Sequence, residues 1–96
     1  IIINPNSKLS WQYHNRRAEI WRVYRGKVGV SRSMTDIQNP KIILEEKDQI
    51  KLKQGERHRL IGLDNYSVIS EIWQHTDHKN PSNEDDIVRI SDDYGR

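Results

Sequence analysis

The chain has 96 residues, enough for one domain, because two cores of half that size would each be short of buried area. Sixteen Lys and Arg against fourteen Asp and Glu leave a formal charge of +2, which excludes the strong one-signed field of a nucleic-acid binder. The absence of cysteine excludes a disulfide scaffold, a thiolate metal site and a cysteine nucleophile and points to the cytoplasm, while no apolar run approaches the roughly 20 residues of a membrane span.

Thirteen Ile and five Val against five Leu and one Ala favour the pleated surface of strands over helices. In chain order, apolar residues alternating between Pro, Gly and Asn punctuation predict strands over 1–3, 9–14, 19–25, 27–31, 41–44, 49–53, 57–61 and 67–74, with a ninth over 87–90. The first is read as a strand cut at its start, and with no initiator Met the chain is expected to lack natural N-terminal residues. No stretch sustains the apolar period of a helix. Short strands at this spacing suggest an antiparallel sandwich, jelly roll or small barrel.

On the second strand, alternation puts Ser10, Gln12, His14 and Arg16 on one face and Leu9, Trp11 and Tyr13 on the other. Two readings follow. Either the aromatic face is the core and the polar face is wet, or the polar face lines an interior pocket and the aromatic face lies outside. Two polar clusters have plainer readings. His75-Thr76-Asp77-His78 leads into a Pro/Ser/Asn loop and is read as a mobile surface turn. Glu84, Asp85, Asp86, Asp92 and Asp93 lack calcium-loop spacing and are read as a helix N-terminal turn or a solvated loop.

His14, Glu19 and Gly26 have the spacing of the first motif of the cupins, a family in which two histidines one residue apart precede a glutamate and a glycine; Arg16 stands where the second histidine is expected. Gly55 and His58 keep two residues of the second cupin motif. The similarity is greater to the C-terminal cupin domain of type II phosphomannose isomerases, often fused to mannose-1-phosphate guanylyltransferase. Their run Leu-Ser-Leu-Gln-x-His-x-His-Arg-Ala-Glu-His-Trp resembles the segment from Leu9 to Trp21, departing at Arg16 and Ile20. Their Gly-Glu-x-His-Arg-Leu resembles Gly55 to Leu60, and their closing Glu-Asp-Asp-Ile-Val-Arg-x-x-Asp-x-Tyr-Gly-Arg resembles Glu84 to Arg96.

The resemblance implies one all-β cupin domain over residues 1–96, a double-stranded β-helix built as a jelly-roll-like barrel. It implies a metal-assisted isomerase interconverting mannose 6-phosphate and fructose 6-phosphate. Gln12, His14, Glu19 and His58 are then the metal ligands, a nitrogen and oxygen set suited to Zn, Mn, Ni, Fe or Co. Arg16, Arg17 and Lys53 are candidate phosphate-binding cations. Arg96 matches a family arginine associated with catalysis, and Glu71 is a candidate proton-transfer carboxylate. Arg16, whose charge would repel a metal from inside the pocket, is expected at its rim on a bend after His14. Arg16 and Ile20 also support an alternative, a non-catalytic cupin that binds a sugar or sugar phosphate with a degenerate metal site. Beyond a small-molecule sugar phosphate, the expected partner is a second copy docking on the outer face of Trp11 or Tyr13, with no nucleic acid and no membrane.

Overall fold

The computed structural model describes residues 1–91. Nine strands form among them: β1 (Ile2–Ile3), β2 (Trp11–Tyr13), β3 (Arg17–Arg25), β4 (Val28–Ser33), β5 (Ile42–Leu44), β6 (Gln49–Leu52), β7 (Arg57–Ile61), β8 (Ser67–His75) and β9 (Val88–Ser91). They pair antiparallel in a four-stranded sheet, β1-β8-β3-β6, and a five-stranded sheet, β5-β4-β7-β2-β9. This is the all-β double-sheet architecture that the cupin resemblance implies. None of the described residues forms a helix, so none is long and apolar enough to cross a membrane.

The core lies between the sheets, where the alternation of Trp21 and Val23 on β3 meets Val28 and Val30 on β4, with Leu52, Leu60 and Ile69 from β6, β7 and β8. Fully burying each such aliphatic side chain contributes roughly 1.5–3 kcal/mol relative to leaving it exposed. Two glycines are dictated by space. Gly26 turns β3 into β4 at φ 75°, and a Cβ there would lie 2.9 Å from the Tyr66 carbonyl; at Gly62 it would lie 2.0 Å from the Asn4 carbonyl.

Strand boundaries differ from expectation at one informative place. β2 stops at Tyr13 and β3 starts at Arg17, two residues before the predicted Glu19. The Asp86 carboxylate explains the break, because it takes the backbone N–H of Asn15 and of Arg16, each at 2.9 Å, and pulls the chain into a bend. This corrects the reading of residues 84–86 as solvated or helical: Glu84 and Asp85 are exposed, but Asp86 is buried.

The outer aromatic face of β2 is also corrected. Trp11 is 2% exposed, and the chain around Asp36 reaches it. Its Nε1 donates to the Asp36 carbonyl at 2.9 Å, and along the same face Arg57 bonds Asp36 Oδ1 at 2.9 Å and Arg59 bonds Gln38 Oε1 at 3.2 Å. The Arg57 guanidinium lies 3.9 Å over the Tyr13 ring. The surface expected to require a second copy is therefore largely satisfied within one chain.

Candidate functional site

Three buried side chains converge between the sheets from separate elements: His14 just past β2, Glu19 on β3 and His58 on β7. One ligand atom from each lies within 4.8 Å of the others. The imidazole centroids are 5.0 Å apart, and Trp21 packs edge-on against His58 at 5.1 Å. Gln12 is the direct register partner of His58 across β2 and β7, so the two share a face. Its Oε1 accepts from Ser10 Oγ.

Hydrogen bonding puts a hydrogen on Nδ1 of both histidines. His14 Nδ1 contacts the Asp86 carbonyl at 2.7 Å and His58 Nδ1 contacts the Glu56 carbonyl at 3.0 Å. A carbonyl only accepts, so each Nδ1 is a donor and Nε2 is the nitrogen left for the cluster. His58 Nε2 is buried with no hydrogen-bond partner. His14 Nε2 lies 2.8 Å from Glu19 Oε1. A backbone carbonyl behind Nδ1, leaving Nε2 for the cluster, is the arrangement by which proteins orient metal-ligating imidazoles.

The electrostatics suit a cation. Burial alone would raise the Glu19 pKa, but hydrogen bonds from His14 and Trp21, the latter at 2.8 Å, and the neighbouring imidazoles hold it at about 2. Burial pushes His58 down to about 4 despite the nearby Glu19, leaving it neutral at pH 7. A fixed anion beside the neutral His58 imidazole is part of the donor set that divalent first-row metals accept. His14, Glu19 and His58 therefore fit the group that the resemblance implies, and Gln12, across from His58, lines the cavity beside them.

Arg17 is the guanidinium inside this site. Its Nε donates to Glu19 Oε1 at 3.1 Å, one terminal nitrogen contacts His14 Nε2 at 3.3 Å, and the other donates to Ser82 Oγ at 2.9 Å and the Asn83 carbonyl at 3.0 Å. Its plane also lies 3.7 Å over the Trp73 ring. A cavity of about 50 Å³ opens beside the cluster, lined among others by Gln12, Arg17, Glu19, His58, Arg59 and Glu71. That is room for an ion and a few water-sized atoms, against about 300–1,000 Å³ for a ligand pocket. Burial raises the Glu71 pKa above the ordinary carboxylate range, and the Glu19 charge adds to it.

The structure thus brings together Gln12, His14, Glu19, His58, Arg17 and Glu71 and leaves Arg16 and Lys53 off the cavity lining. Arg16 follows the bend, and the guanidinium that meets Glu19 and His14 is that of Arg17. Lys53 is exposed in the turn before β7, where its backbone N–H donates to Glu56 Oε1 at 2.8 Å. Arg96 lies outside the described residues. Sequence reasoning passed over Asp86, Ser82 and Arg59, all buried. Their signal was weak, since a lone acid in an acidic run and an arginine beside a histidine read as solvated charges.

Comparison with known proteins places this geometry. The sequence model of the family described as "Mannose-6-phosphate isomerase C-terminal" matches residues 1–92. The chain is 33% identical over 101 residues to the xanthan biosynthesis protein XanB of Xanthomonas campestris pv. campestris (strain B100), covering 100% of this chain and 19% of that protein. It therefore spans about a fifth of the length of this relative. The fold is similar to the Drosophila melanogaster CENP-C cupin domain, with TM-score 0.67, 20% identity and coverage of 76% of this chain and 56% of that one. It is also similar to a Cupin 2 conserved barrel domain protein from Salinispora arenicola, with TM-score 0.66, 17% identity and coverage of 78% and 59%.

Proposed function

The chain belongs to the mannose-6-phosphate isomerase C-terminal family, and from that premise and the geometry of its buried cluster we propose that it interconverts mannose 6-phosphate and fructose 6-phosphate at a divalent-metal site. The observation that carries this reading is the buried His58 Nε2, which has no hydrogen-bond partner and shares a cluster with Glu19 and His14. A buried acceptor left unmade costs roughly 1–3 kcal/mol, so its retention calls for a partner such as a cation. His14, Glu19, His58 and Gln12 would hold it, with Zn, Mn, Ni, Fe and Co as candidates. When bound, such an ion stabilises negative charge developing on a sugar oxygen as a Lewis acid.

Protein groups supply the rest of the reaction. The C2 proton of the aldose passes to a carboxylate and returns to C1, while O1 gains and O2 loses a proton, so no oxidant is needed. Glu71, half-buried on the cavity wall, is the proposed proton carrier. Arg17 offers guanidinium N–H groups toward the charge that forms beside Glu19. Arg16 and Lys53, outside the cavity lining, are proposed to meet the phosphate at the rim, and Arg96 is proposed as a catalytic arginine. A cytoplasmic setting and a homodimer belong to the same proposal, the dimer without an assigned face.

The small cavity favours a second reading, in which the domain holds a sugar or sugar phosphate without turnover. One experiment separates them. Protein stripped with chelator and reloaded with Co²⁺, Mn²⁺ or Zn²⁺ is assayed for fructose 6-phosphate formed from mannose 6-phosphate. Metal-dependent turnover that His58→Ala abolishes is expected; saturable sugar-phosphate binding with no turnover under any metal supports the second reading.

A further inference from the structure

We propose that Asp86, which touches neither cavity nor cluster carboxylate, is the positioning residue that sets the direction of His14 and so the metal affinity of the site. The inference rests on the metal-binding reading above. Asp86 is 4% exposed, and all its acceptors are engaged. Oδ1 takes the N–H of Asn15 at 2.9 Å, Oδ2 takes the N–H of Arg16 at 2.9 Å and the Ser82 hydroxyl at 2.6 Å, and the carbonyl takes His14 Nδ1 at 2.7 Å. One residue from the β8–β9 connection thus grips three consecutive residues between β2 and β3.

This grip has two consequences for the site. The carboxylate caps two successive backbone N–H groups, which ends the β2 ladder and forces the bend after His14. The carbonyl of the same residue then meets the imidazole that the bend presents, holding Nδ1 as a donor so that Nε2 faces Glu19. With both carboxylate oxygens committed to backbone and hydroxyl donors, Asp86 is not itself a ligand. Ser82 forms a separate arm, since its hydroxyl donates to Asp86 and accepts from Arg17. The effect on His14 runs through the backbone caps and not through that hydroxyl.

The test titrates Co²⁺ into wild-type protein, Asp86→Asn and Ser82→Ala, following visible absorption of the bound ion, and reads the His14 tautomer from its ring ¹⁵N shifts. Removing such an outer partner typically weakens metal binding about 10- to 100-fold. Asp86→Asn is expected to lose that much Co²⁺ affinity and to scramble the His14 tautomer, with Ser82→Ala staying within about threefold of wild type on the same scale. Wild-type protein that takes up no Co²⁺ refutes the metal reading itself. Wild-type protein that binds, with Asp86→Asn binding as tightly and keeping the Nδ1–H tautomer, refutes only the positioning role. Equal losses in both variants also overturn it, because the effect would then run through Arg17. Should Asp86→Asn not fold, the wild-type shifts decide alone, and a His14 Nδ1 that carries no proton overturns the proposal.

Discussion

Arg17 and Glu19 stand two positions apart on one face of β3, and the guanidinium Nε meets the carboxylate Oε1 at 3.1 Å with both side chains buried. The guanidinium is held on its far side by Ser82, Asn83 and the face of Trp73. The ionised Glu19 therefore has a resident positive neighbour, and Arg17 is part of the fold as much as of the site.

Removing that neighbour strands a buried anion. Arg17→Ala is expected to cost about 3–5 kcal/mol of unfolding free energy, the usual cost of breaking a buried pair from one side. Urea denaturation measures it, and a loss below about 1 kcal/mol, the usual worth of an exposed pair, would contradict the buried-pair account.

Arg16 is the contrasting case. Its backbone serves the bend through Asp86, and its side chain lies off the cavity lining. Arg16→His keeps the backbone N–H, so Co²⁺ affinity should stay within about threefold, while mannose 6-phosphate binding weakens if the rim cation meets the phosphate. Calorimetric titration with each ligand checks both halves. A large gain in metal affinity would place the guanidinium inside the site.

Glu56 gives a pH dependence outside the cluster. Its carboxylate, 7% exposed, takes Arg32 Nε at 2.6 Å, and Oε1 also takes the Lys53 N–H at 2.8 Å. Burial would raise its pKa, but the Arg32 and Lys53 hydrogen bonds lower it below the ordinary 4.5. The stabilisation is therefore complete above about pH 4.5, and is lost as pH falls through the lowered folded value. Glu56→Gln should be less stable than wild type by about 1.5–3 kcal/mol at pH 7, with the gap shrinking in strong acid. Urea midpoints across pH 2–7 test it; a gap that is constant with pH contradicts the ionic origin.

Trp11 is expected to behave as a core residue. Trp11→Ala should cost about 3–5 kcal/mol by emptying the buried space it fills. Its sedimentation coefficient should match that of wild type, whatever the wild-type oligomer, and a shift confined to the variant's association would restore Trp11 as an interface residue.

Much of the fold was legible because most strands are short and bounded by Gly, Pro or Asn, so that punctuation together with period two located all nine among the described residues. The cluster was legible in part for the same reason: Gln12 and His14 share a face by alternation, and His58 joins by cross-strand register. What remained hidden is what long-range contacts decide. The short interval from His14 to Glu19 called for a bend with Arg16 at the rim, but nothing local in Asn15-Arg16 shows that Asp86, late in the chain, makes that bend or that Arg17 is the cation that enters. Trp11 looked like an open surface because the chain around Asp36 that reaches it has no periodicity of its own.

The central claim is that His14, Glu19 and His58 hold one divalent cation. Crystals grown from chelator-treated protein and soaked with Zn²⁺, with diffraction data on both sides of the zinc absorption edge, test it most directly. The account predicts an anomalous peak about 2.0–2.2 Å from His14 Nε2, His58 Nε2 and a Glu19 oxygen, with both Nδ1 atoms still on the Asp86 and Glu56 carbonyls. Crystals whose zinc sits only on exposed His75 or His78, with the cluster bare at saturating metal, would contradict it.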